Sequence, residues 1–190
     1  MNKSYFLGLM LFATVISSGC ARHIGASIAV PEIPTPAAEA RPRLGATIAV
    51  RDFKDVRGQA QGQELGEAPG VTKPEGDVGT RVAEAMAAVF EKRGITVDET
   101  AATVVRGEVR QWQSKVTTTT SGVIESTAAV YVEVVDRSGN SVYSGTYHGS
   151  RTSQFPVVSA SDVQDSLGIA MAQALDQALQ DQELLGALWR

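Results

Sequence analysis

The sequence predicts an α+β fold: a two-layer sandwich in which a mainly antiparallel sheet of four or five strands carries two helices on one face. Two stretches, Val78 to Phe90 and Val163 to Leu179, repeat apolar residues at helical spacing. Between Thr103 and Phe155 the apolar period drops to two, the spacing of half-buried strands. The element order is therefore strand, helix, three strands, helix, and each helix is apolar on one side only, so both need the same sheet face. No internal repeat is present.

The chain opens with a secretory pattern. Lys3 supplies a positive charge, Tyr5 to Ile16 is a largely apolar run, and Ser17, Ser18 and Gly19 precede Cys20, the only cysteine among 190 residues. The run is too short for a helix across a hydrocarbon core of about 30 Å, which takes about 20 residues. It reads as an export signal and not as a lasting anchor. A buried N-terminal helix fits less well, because the run is apolar on all sides and leads into a proline-rich tract.

The Ser-Gly-Cys ending resembles the lipobox of bacterial lipoproteins, with Ser17 standing where a leucine is usual. That resemblance implies cleavage before Cys20, acylation of its thiol and of the new N-terminus, and a membrane partner held through acyl chains on Cys20. Each buried methylene adds about 0.8 kcal/mol and one chain anchors only marginally, so several would hold the protein durably. Ala21 follows in place of the aspartate that resembles an inner-membrane retention signal, which points to the outer membrane. The competing reading is a plain secreted protein with an unpaired thiol in an oxidising compartment. Residues 1–19 are thus expected as a signal peptide, 20–43 as lipidated cysteine and proline-rich tether, and 44–190 as one periplasmic domain.

Cleavage there would leave 171 residues, enough for one domain that buries about 70% of its unfolded surface. The full chain has 17 basic and 21 acidic residues, a formal charge of −4, which becomes −5 without Lys3. Nothing in this balance invites nucleic acid, and no nucleic-acid partner is expected; lipid contact is left to the acyl chains.

From Ala21 to Arg43 the residues Pro31, Pro34, Pro36 and Pro42 predict an extended tether of polyproline character, up to about 3.1 Å per residue, reaching several tens of ångströms from the bilayer. Ser27 to Val30 offers a short edge strand, stopped by Pro31. Ala46 to Phe53 is the first long strand, apolar enough to be buried. Lys54 to Glu75 is rich in glycine and proline and reads as a long loop, with room for a minor strand. Asp52 and Asp55, three apart, could bind a divalent cation or act as acid and base; the interleaved Lys54 and Arg57 favour local charge pairing instead.

The first helix carries full punctuation. Asp77 is its N-cap, Val78, Val82, Ala85, Met86, Val89 and Phe90 form the stripe, Lys92 and Arg93 suit the negative end of the dipole, and Gly94 closes it with Ile95 behind. Three strands follow as a meander: Thr103 to Val116, Val123 to Asp136 and Ser141 to Phe155. In the middle one Ile124, Ala128, Val130, Val132 and Val134 alternate with Glu125, Thr127, Tyr131 and Glu133, giving a packed and a wetter face. Arg137-Ser138-Gly139-Asn140 is the turn. Thr117 to Thr120 reads as a connection or an exposed strand end able to accept a partner strand. The last helix opens on a capping box of Ser161 and Gln164 and buries Val163, Leu167, Ala170, Met171, Ala174, Leu175, Ala178 and Leu179. Leu184, Leu185, Leu188 and Trp189 are expected as a closing turn on the sheet, with a partner-binding patch as the other reading.

Taken with the Cys20 ending and proline-rich spacer, the segments LGATIAVRDFKDVRG, VAEAMAAVFEKRGITV, STAAVYVEVVDRSGNSVYSGTY and DSLGIAMAQALDQALQDQEL resemble the YajG family of uncharacterised bacterial lipoproteins. The resemblance implies an outer-membrane lipoprotein with a periplasmic α+β domain and no established catalytic residues. The layout is also similar to auxiliary lipoproteins of ABC-type lipid-transport systems.

The inventory supports no enzyme, cofactor or metal. The two histidines are His23 in the tether and His148 in a strand; there is no G-x-S-x-G, no phosphate-cradling glycine loop and no cluster at metal-ligand spacing. His148 suits a surface strand position better than a general base. Hydrolysis of an envelope polymer would rest on Asp52 and Asp55 alone. The favoured expectation is a noncatalytic binding or assembly module of the cell envelope with a protein partner. The alternative is a lipid-handling accessory, whose mark would be an apolar groove between sheet and helices.

Overall fold

The computed structural model describes residues 28–35, 45–57, 71–118 and 121–189. The signal-like residues 1–19, Cys20, His23, the centre of the long loop and the pair Thr119 and Thr120 lie outside the described residues. In chain order the elements are β1 (Ile28–Ala29), β2 (Thr47–Val50), β3 (Lys54–Asp55), β4 (Val71–Thr72), β5 (Pro74–Glu75), α1 (Val78–Lys92), β6 (Thr96–Val97), β7 (Thr103–Thr118), β8 (Gly122–Val135), β9 (Ser141–Phe155), α2 (Ala160–Gln180) and α3 (Gln182–Ala187).

The fold is α+β, but larger than the expected four or five strands and two helices: one mixed sheet has seven strands, and there are three helices among the described residues. The long ladders are antiparallel, β7 with β8 and β8 with β9. The extra strands come from β7, whose 16 residues outrun any neighbour on its other side. Three short pieces share that side: β2 in parallel at Thr103–Val105, β3 in parallel at Glu108–Val109, and β4 antiparallel at Ser114–Lys115. β6 adds in parallel outside β2. β2 lies inside the strand expected over Ala46 to Phe53, whereas β3, β4 and β5 fall in the expected loop Lys54 to Glu75, and at two residues each they are too short to display a period. The expected edge strand near Ser27 to Val30 exists as β1, yet it pairs in parallel with β5, apart from the main sheet.

α1 follows its sequence signals closely. The Asp77 carboxylate accepts from the N–H of Thr80 at 3.1 Å. At the other end Gly94 takes φ +76°, its N–H donates to Glu91, and the N–H of Ile95 donates to Phe90, so the last carbonyls are satisfied and Ile95 is turned into the core. α2 begins two residues earlier than the Ser161–Gln164 reading. Ser159 is the N-cap: its hydroxyl accepts from the N–H of Asp162, whose carboxylate accepts from the N–H of Ser159 at 2.8 Å. Asp162 outcompetes Gln164 because its charge suits the positive helix end.

Both long helices cover one sheet face. α1 lies over β2, β3 and β7, while α2 lies over β7, β8 and β9. Ile48, Met86 and Phe90 fill one half of the interlayer; Trp112, Ile124, Leu167, Met171 and Leu175 fill the other, all buried in a single cluster. The Trp112 Nε1–H donates to the Leu167 carbonyl at 3.0 Å, fixing the largest core side chain to α2. Beneath α2 the hydroxyls of Ser114, Ser126 and Ser166 form a buried chain, so three polar groups in the core satisfy one another. The terminal residues behave as a closing turn: Leu184, Leu185 and Leu188 are buried, and Trp189 is partly exposed.

Candidate functional site, the uncovered face of the sheet

The sheet face turned away from the helices is polar because β7 and β8 alternate. Val105 and Val109 point inward on β7, so Arg106 and Glu108 point outward; Val130, Val132 and Val134 point inward on β8, so Tyr131 and Glu133 point outward. The register sets Arg106 opposite Glu133 and Glu108 opposite Tyr131. The chain leaving β2 brings Arg51 and Asp52 to the same place, and β3 adds Lys54. Together these seven residues and Gly107 line an open depression of about 380 Å³.

Three of its six charged side chains, Arg106, Glu108 and Glu133, are in ion pairs. Arg106 Nε donates to Glu133 Oε2 at 2.7 Å, and this bond, with help from Ser141, holds the Glu133 carboxyl below the usual carboxylate range. Arg110 binds Glu108 at 3.0 Å, and its guanidinium lies 4.3 Å from the centre of the Tyr131 ring. Arg51 donates to the Glu99 carbonyl at 2.8 Å. Among the described residues the side chains of Asp52 and Lys54 make no hydrogen bond or ion pair. The result is a surface with fixed positive and negative positions around one amphipathic ring, suited to reading a complementary polar surface.

The carboxylates singled out in the sequence are not brought together as a pair. The Asp55 carboxylate is gripped by Arg57, Nε to Oδ1 at 2.8 Å and a second nitrogen to Oδ2 at 2.7 Å, and Arg57 holds it below the ordinary carboxylate range. Asp52 instead lines the depression. Local charge pairing is therefore what the structure shows for Asp55. Among the described residues no group of three or more His, Cys, Asp or Glu side chains is placed to hold a metal ion. No helix among them is long and apolar enough to cross a membrane. His148 is exposed on β9 and its backbone N–H donates to Gln177 Oε1 at 3.2 Å.

The strand end at Thr117 and Thr118 is not a free edge on its β8 side: both residues pair there, with Val123 and Gly122. The long edge of the sheet is β9. Its middle is covered from α2, where Gln177 and Gln173 accept from the N–H groups of His148 and Ser150 at 3.2 Å each. Sequence reading missed this edge and missed Arg106 and Arg110. The alternating charges of Arg106, Glu108 and Arg110 were the available signal.

A second polar cluster ties α3 to β9. Tyr143 and Tyr147 both donate to Asp181 Oδ2, at 2.5 and 2.9 Å, while Oδ1 caps α3 through the N–H groups of Glu183 and Leu184. Burial pushes both phenols above their usual range. Burial pushes the Asp181 carboxyl up too, but the two phenols and two amides outweigh it and hold it below the ordinary range. A depressed carboxyl adds stability above its unfolded pKa and loses it as pH falls through the folded one. Asp181→Asn is therefore expected to flatten the fall of the urea midpoint between about pH 5 and about pH 2 relative to wild type. Equal slopes in the two proteins would show that the cluster contributes nothing.

A model of a family described as uncharacterised lipoprotein matches residues 36–188, most of the chain and nearly all of the folded part. The chain belongs to this family, the YajG family. No curated protein matches it. Among solved structures, protein XCC0632 from Xanthomonas campestris shares the fold at TM-score 0.61 and 14% identity, over 84% of this chain and 96% of that one. A minor lipoprotein from Acinetobacter baumannii aligns at TM-score 0.47 and 14% identity, over 74% and 94%. The PelC dodecamer from Paraburkholderia phytofirmans aligns at TM-score 0.39 and 25% identity, over 69% and 88%. Membership in the YajG family makes this chain a lipoprotein and supports a membrane-anchored place in the cell envelope.

Proposed function

We propose that this YajG-family protein is a noncatalytic adaptor of the outer membrane, held by acyl chains on Cys20, whose domain faces the periplasm and binds an envelope protein through the uncovered sheet face. The observation that carries the reading is the depression around Tyr131. Tyrosine supplies contact area at low entropic cost, and both arginine and tyrosine are enriched where interfaces concentrate their energy. Here Arg106 is held by Glu133 across the strands, and Arg110 by Glu108 of its own strand and by the Tyr131 ring across them, so less ordering is needed on binding. The small residues before Cys20 and the alanine after it support the anchor and its destination.

The test is photo-crosslinking in cells with a benzophenone amino acid at Tyr131 or Lys54, and at Glu84 on the exposed side of α1 for comparison. A discrete adduct is expected from the sheet face and not from Glu84, lost on Arg106→Glu and on Cys20→Ser, the latter also releasing the protein from the membrane fraction. Equal adducts from α1, or none from either sheet position, would sink the reading.

A further inference from the structure

β1 lies only eight residues beyond Cys20, so at about 3.6 Å per residue the chain between them spans at most about 29 Å. Residues 28–35 do not continue the tether away from the domain: Ile28 and Ile33 are buried in the main core, and Ile28 pairs with Pro74. The anchor thus attaches to the body of the domain by a short leash, much shorter than a tether running to Arg43 would give.

Two contacts fix the level at which the leash meets the sheet. Pro74, the partner of Ile28, is two residues past Thr72, which faces Ser114 of β7. The Glu32 carbonyl lies against Gly168, two residues past Ser166, whose hydroxyl binds Ser126 of β8. Both place β1 close to the level of Ser114 and Ser126, near the end where β7 passes into β8. The opposite end, the β8–β9 turn, is nine residues of β8 farther from Ser126 at Val135, about 30 Å before the turn itself is counted. A domain standing on that far turn would need more leash than the sequence contains.

The near end carries an apolar tip. Between β9 and α2, Phe155 and Val158 are half-buried, Val158 seated on Gly122, while Pro156 is exposed and Val157 is 82% exposed. On the assumption made above that Cys20 is acylated, we infer that Pro156 and Val157 form a second, noncovalent contact with the lipid surface. The domain stands on this end of its sheet, with the depression around Tyr131 held off the membrane. A protruding apolar loop of this kind enters the headgroup region favourably once an acyl anchor holds it there.

The test uses the full-length, membrane-extracted lipoprotein in vesicles of phosphatidylethanolamine and phosphatidylglycerol. With Cys20 consumed by acylation, Val157→Cys or Ser138→Cys supplies the single free thiol for an environment-sensitive fluorophore, and neither exposed position perturbs the core. Strong quenching by headgroup-proximal spin-labelled lipid is expected at Val157→Cys and none at Ser138→Cys. Equal quenching at both sites, quenching at Ser138→Cys alone, or none at either would overturn the inference. Mass spectrometry of the N-terminal peptide separates the two readings: an unacylated Cys20 refutes the anchor, whereas an acylated one with an unquenched Val157→Cys label refutes only the contact.

Discussion

Trp112→Ala is expected to lower the stability of the domain by about 3–5 kcal/mol, the largest loss from any single truncation in its core. Trp112 is 1% exposed, joins the central strand to α2, and carries its own donor to the Leu167 carbonyl at 3.0 Å. Truncation opens a cavity where β7, β8 and α2 meet, and backbone on three sides prevents collapse into it. Trp112→Phe keeps most of the packing and loses the hydrogen bond, so about 1–2 kcal/mol is expected. Urea denaturation followed by far-UV circular dichroism reads both. A Trp112→Ala midpoint within error of Trp112→Phe would mean that the indole is not the keystone of this interlayer.

Gly149→Val is expected to cost about 3 kcal/mol or more, because no rotamer change can relieve it. A Cβ at Gly149 would overlap the carbonyl oxygen of Ala170 and stand 2.7 Å from the Ala174 nitrogen, both backbone atoms of α2. The helix must lift, and with it Gln173 and Gln177, which reach β9 from the same turns. Faster hydrogen exchange at the amides of His148 and Ser150 should accompany the loss of stability. Gly149→Ala should show the same pattern in smaller measure. An unchanged exchange rate in Gly149→Val would mean that α2 does not sit on β9 as closely as the contact implies.

Long elements with an uninterrupted period were readable before the structure: α1 with both its ends, the inward face of β8, and the stripe of α2. Readability fails where the period breaks. In β7 the buried residues are odd-numbered up to Val109 and even-numbered from Trp112, because the pairing slips between Val109 and Gln111. β2 and β3 pair with β7 across 50 or more residues of chain, a relation no local pattern records. The candidate face was half visible: Tyr131 and Glu133 stood out as the wetter side of a strand, while Arg106 and Arg110 acquire meaning only once the register sets them beside those two. Ser126 breaks an otherwise apolar row, and only Ser114 and Ser166, 12 and 40 residues away, make it acceptable.

Anchoring a protein in a membrane concentrates it in two dimensions and aligns neighbouring copies, so their sheet edges meet far more often than those of a free protein. A bare strand of 15 residues such as β9 would then be a standing template for copies to stack side by side. The carboxamides of Gln173 and Gln177 occupy two donor positions in the middle of that template, as a neighbouring strand would. An incoming strand would have to displace these two side chains, which rise from α2, a helix held by its buried stripe from Val163 to Leu179. The domain thereby carries its own edge guard across the middle of β9.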